Sequence, residues 1–88
     1  MNAHVIDGAN MPDRTAAHAE LARALQLSPH YGANLDALWD EVSCMRADVT
    51  LAHPAVLLNS LGIYGCKLLQ TLYEAAEENP DFHFHTQD

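Results

Sequence analysis

The spacing of apolar positions changes several times along this chain, and each change predicts an element. Ala3 to Asp7 centres on Val5 and Ile6 and reads as a short strand, broken by Gly8-Ala9-Asn10. Asp13, after Pro12, is a good helix N-cap. Ala17, Leu21, Ala24 and Leu25 then recur at the spacing of one helix face. His18 lies beside that stripe, where a packing or capping histidine is more usual than a ligand. Ser28-Pro29 is expected to end the helix.

Pro29 to Asp40 reads as a tight loop running straight into a short helix. Gly32 is expected to supply backbone freedom before the turn. Asn34 can cap the helix by accepting from its free N–H groups. With Asp36 set at zero, Leu38, Val42, Leu35 and Trp39 fall at about 200°, 240°, 260° and 300° on the helical wheel. That arc must face a core. Asp36 and Asp40 fall at about 0° and 40°, off the arc and one turn apart. The helix therefore shows solvent two carboxylates, with Trp39 at the border between core and surface. Two aspartates so spaced repel slightly. The N-terminal dipole offsets this for Asp36, the second helical residue, and hardly for Asp40. A bare pair of this kind is most often a solvated face and nothing more.

Ala47 to His53 reads as a second strand, with Val49 and Leu51 inward and Thr50 between them. Pro54 opens a short helix through Val56, Leu57, Leu58 and Leu61. Gly62 and Gly65 loosen the join to a last helix over about 64–78, where Leu68, Leu69, Leu72, Ala75 and Ala76 cluster within about 120°. Glu74 sits in the middle of the opposite face, with Lys67, Gln70, Glu77 and Glu78. Asn79-Pro80 stops that helix. Asp81 to Thr86 closes the pattern as a strand, Phe82 and Phe84 on one side and His83 and His85 on the other. Strands alternating with helical segments predict an α/β domain spanning residues 1–88, with a small three-stranded parallel sheet and about four helices. No internal repeat, low-complexity segment or linker divides it.

Charge narrows the choice of partners. Four lysines and arginines stand against twelve acids, a net charge of −8. Nucleic acid and anionic membrane surfaces are repelled at long range, while a basic protein is drawn in. No apolar run approaches the roughly 20 residues of a membrane span, and the N-terminus lacks the pattern of a signal peptide. The expected location is the cytoplasm, where Cys44 and Cys66 stay as thiols.

The run Tyr31-Gly32-x-Asn34-Leu35-Asp36-Ala37-Leu38-Trp39-Asp40 resembles the signature of the barstar family, small intracellular inhibitors of barnase-type ribonucleases. Outside this run the likeness is mostly one of pattern, extending along the chain. The resemblance implies a barstar-like fold and a binding face rather than an active site, so no catalytic residue is assigned. Its implied partner is a small basic extracellular-type ribonuclease, bound by carboxylates standing where RNA phosphates would sit. Asp40 would enter the deepest phosphate site, Asp36 would pair at its flank, and Glu74 would make a peripheral ion pair if the last helix packs beside the central one. His30 would stack where the family often has an aromatic. Gly32 and Asn34 would offer backbone and amide contacts, Leu35 and Trp39 would pack at the border, and Ser43 to Met45 would close one edge. The best-known family member has a tryptophan near Met45, cysteines at other positions and a slightly longer loop after this helix. The implied inhibitor is a monomer when free and needs no cofactor.

Two other readings use the same residues. The acidic face could dock on another basic protein without inhibiting anything. His83 and His85 share one side of a strand at a spacing metals can use, but two ligands are not a site, and no metal is assigned.

Overall fold

The computed structural model describes residues 2–88. Strand β1 spans Asn2–Asp7, helix α1 Arg14–Leu25, helix α2 Leu35–Val42, strand β2 Ala47–Ala52, helix α3 Pro54–Leu61, helix α4 Ile63–Glu78 and strand β3 Phe82–Gln87. The strands lie in the order β1-β2-β3, and both pairings are parallel. The architecture is the expected α/β fold: a three-stranded parallel sheet with four helices.

Register sorts the side chains. Ile6, Leu51 and Thr86 align across the sheet, as do Ala47 and Phe82, and Val49 and Phe84. Ile6, Ala47, Val49, Leu51, Phe82 and Phe84 are buried with the apolar faces of the helices in one core. Parallel sheets are usually covered on both faces. Here the second face carries Val5, His83 and His85, all exposed, so the whole core lies on one side.

The helices fill that side in sequence-specific ways. Asp13 caps α1 by accepting from the backbone N–H of Ala16, and the Ala17, Leu21, Ala24 and Leu25 stripe is buried. The first helix stops earlier than Ser28-Pro29. Gln26 turns left-handed at φ 53° and its N–H returns to the Ala22 carbonyl, so the helix is capped before the proline acts. Glu20 is buried on α1, where its carboxylate accepts the Asp7 backbone N–H and a forked pair of bonds from Arg23. That knot ties α1 to the end of β1.

The Gly8–Asn10 break folds as a single 3₁₀ turn. A Cβ on Gly8 would run into the backbone carbonyls of Ala52 and His53, so this turn packs against the end of β2 only because the position has no side chain. β2 ends at Ala52, one residue short of expectation, because His53 takes a left-handed φ of 56° ahead of Pro54. β3 is displaced by one residue from the expected 81–86.

Candidate functional site: the acidic face of α2

The face is built by one capped helix and the loop that feeds it. Asn34 accepts the Ala37 N–H at 2.7 Å and opens α2. Leu38 and Val42 are fully buried, while Leu35 and Trp39 are half-buried and pack against the core. The predicted apolar arc is therefore the buried face. Asp36 and Asp40 lie on the other side and are exposed. Among the described residues neither carboxylate has an ion-pair partner within the chain. Their negative charge is offered outward.

The loop before α2 is held from several sides. Its turn closes from Tyr31 N–H to the Ser28 carbonyl, and the Ser28 hydroxyl accepts the His30 N–H. Glu41 of α2 accepts the Ser28 N–H. The positive φ falls on Ala33, at 54°, and not on Gly32. Gly32 matters for space: a Cβ there would come within 3.2 Å of the Ala37 side chain. The reversal sits one residue nearer the cap than the sequence suggests, because Asn34 must already be extended to cap α2. His30 and Gly32 are both exposed beside this turn.

Beneath the loop lies a contact that sequence spacing does not reveal. His18 is buried on α1, with Nδ1 at 2.6 Å from the Tyr31 hydroxyl and Nε2 at 2.6 Å from the Tyr64 hydroxyl. A neutral imidazole suits two hydroxyls, donating from one nitrogen and accepting at the other. Burial lowers the His18 pKa and keeps it in that form. Burial also pushes the Tyr31 hydroxyl up, with the nearby Tyr64 and Glu41 adding to it. One histidine thus joins α1, the loop and α4. The sequence signal was a lone polar residue beside an apolar stripe.

The other edge of the face is pinned by Asn79, which sequence reading treats only as a helix stop. Its side-chain amide donates to the carbonyls of Val42 and Met45 at 3.2 and 2.8 Å, and its Oδ1 accepts the Asp81 N–H. Ser43 closes the last turn of α2 through its N–H to Trp39, and Met45 packs partly into the core. Helix α4 packs against α2, which meets the condition set for Glu74. Glu74 is exposed and accepts from Gln70 one turn earlier.

The histidine pair of β3 faces the open side of the sheet, where His85 Nε2 lies 3.4 Å from Asp48 Oδ1. Among the described residues no group of three or more His, Cys, Asp or Glu side chains is arranged to hold a metal ion. No helix among them is long and apolar enough to cross a membrane.

The sequence model of barstar, described as a barnase inhibitor, matches residues 1–87. This chain belongs to the barstar family. The chain is also similar to the Bacillus subtilis (strain 168) protein "Putative ribonuclease inhibitor YrdF", 36% identical over an 83-residue alignment that takes in 88% of each chain. The barstar-like run Tyr31 to Asp40 spans the loop before α2 and the exposed Asp36 and Asp40.

Proposed function

We propose that this barstar-family protein binds a small basic ribonuclease of the barnase type and blocks its active site with carboxylates in place of RNA phosphates. One observation carries the reading. Asp36 and Asp40 stand one turn apart on the exposed side of a helix whose other side is locked into the core, and no cation among the described residues pairs with them. A rigid, unpaired acidic pair is what a phosphate-binding cleft of Arg, Lys and His attracts.

In this arrangement Asp40 enters the deepest cationic site and Asp36 pairs beside it. Trp39 and Leu35 anchor the border, and His30 stacks on the enzyme from the loop. Gly32 and Asn34 supply close polar contacts, Ser43 and Met45 close the far edge, and Glu74 makes a rim ion pair. Nothing in this scheme is catalytic: the protein acts by occupancy, and its working location is the cytoplasm.

The test is to mix the protein with a purified barnase-type ribonuclease and follow RNA cleavage. Stoichiometric loss of cleavage is expected, relieved by Asp36→Asn with Asp40→Asn. Stoichiometric binding with cleavage unchanged would instead make the acidic face a docking module without inhibitory action.

A further inference from the structure

We propose that the cleft between α1, the 27–34 loop and the first turns of α2 and α4 binds a small organic anion, its carboxylate or phosphate head held between Arg14 and Lys67. The cleft has a volume of about 930 Å³, within the range of small-molecule sites. It shares Asn34, Leu35 and Asp36 with the acidic face but differs from it in carrying two cations. Two of the four lysines and arginines in a chain of net charge −8 line it. Asp36 is the one carboxylate among its lining residues.

In a chain with twelve acids, Arg14 and Lys67 make no ion pair among the described residues. Arg14 instead lies over the ring of Tyr64, 4.1 Å from its centroid. Lys67 follows Tyr64 by three residues on α4, on the same side of the helix, and lines the same cleft. Residues from the first turns of α1, α2 and α4 all contribute to the wall, and their N-terminal dipoles reinforce the positive field. Ala22, Leu27 and Leu35 add apolar surface to the same cleft. Cations and apolar surface in one cleft select an anion with an apolar or aromatic body, not a bare inorganic ion.

The experiment uses the ¹⁵N-labelled full chain and three probes of similar shape: 3-phenylpropionate, phenyl phosphate and the neutral 3-phenylpropan-1-ol. Saturable shifts are expected at the amides of Thr15, Ser28, Asn34 and Lys67 with at least one anion, and about tenfold weaker binding of the alcohol. Whichever anion binds tighter identifies the head group. Arg14→Gln with Lys67→Gln should weaken anion binding about tenfold while the amide spectrum stays dispersed. Arg46→Gln removes one positive charge away from the cleft, matching Lys67→Gln alone, and should leave the affinity within about twofold. Should the double variant lose its dispersed spectrum, Lys67→Gln alone, at an exposed position, reads the same effect. The proposal is overturned by the absence of saturable cleft shifts with both anions, by equal binding of the alcohol, or by Arg46→Gln weakening binding as much as the cleft variants. None of these readouts involves a nuclease, so the outcome is independent of the proposed inhibition.

Discussion

The phenolic oxygen of Tyr31 lies 2.6 Å from Nδ1 of His18, and that one bond fastens the loop of the acidic face to the interior of α1. Tyr31→Phe keeps the ring but leaves a nitrogen of a histidine that is 3% exposed without its partner. The expected cost is about 1–3 kcal/mol of stability, because an unsatisfied buried polar group loses its hydration without recompense. Urea unfolding checks this through a lowered midpoint at constant slope. An unchanged midpoint would show that the loop is held by its own turn.

Acid should weaken the fold in two stages. Burial holds the His18 pKa below its ordinary 6.5, so the unfolded chain takes up a proton that the native chain resists. Stability from this group is therefore complete above about pH 6.5 and falls as the pH drops from there toward the lower native value. A second loss follows in the carboxylate range. Burial pushes Glu20 up, but the Arg23 fork and the Asp7 N–H outweigh it and leave its pKa lowered. Asp7 is lowered by the Ala9 N–H and by His53. Their contribution is present above the ordinary values of 4.5 and 3.8 and is lost as the pH falls through the native ones. Urea midpoints measured across this range should show both stages, and His18→Gln should flatten the first.

Asp40→Asn should leave the fold intact, since the carboxylate is exposed and unpaired among the described residues. Its complex with a barnase-type ribonuclease should weaken by about 2 kcal/mol or more, the scale of a binding hot spot. The association rate should fall steeply with salt for the native protein and less steeply for this variant. Stopped-flow measurements at several ionic strengths decide it. A salt-independent rate would remove charge attraction from the recognition step.

Asn79→Ala should loosen the 42–46 segment without disturbing α1. It removes both amide bonds to Val42 and Met45 and the cap on Asp81. Faster hydrogen exchange is expected at Met45, whose N–H bonds to Val42, while Ala17 and Leu21 amides keep their protection. Uniform acceleration across the chain would make Asn79 a global stabiliser instead. With the nuclease, the loosened edge should show in faster dissociation more than in slower association.

Much of this molecule is decided by local pattern. Apolar spacing alone separates the three strands from the helices, because burial on one side imposes a period of about two on a strand and about 3.6 on a helix. Asp13 and Asn34 mark their helix starts since a cap needs only residues nearby in sequence. The exposure of Asp36 and Asp40 follows the same way: once Leu38 and Val42 face the core, the opposite side of α2 has nowhere to go but solvent.

What the chain order could not decide depends on contacts between distant residues. Ala33 rather than Gly32 takes the left-handed turn, and α1 ends at Leu25, because backbone conformation there answers to caps and packing as well as to residue type. His18 meets Tyr31 and Tyr64 across 13 and 46 residues, Asn79 reaches back to Val42 and Met45, and Arg14 settles over Tyr64. Such pairings carry no periodic signature. They exist only when the helices have stacked on one side of the sheet, since that stacking alone brings the side chains within bonding distance.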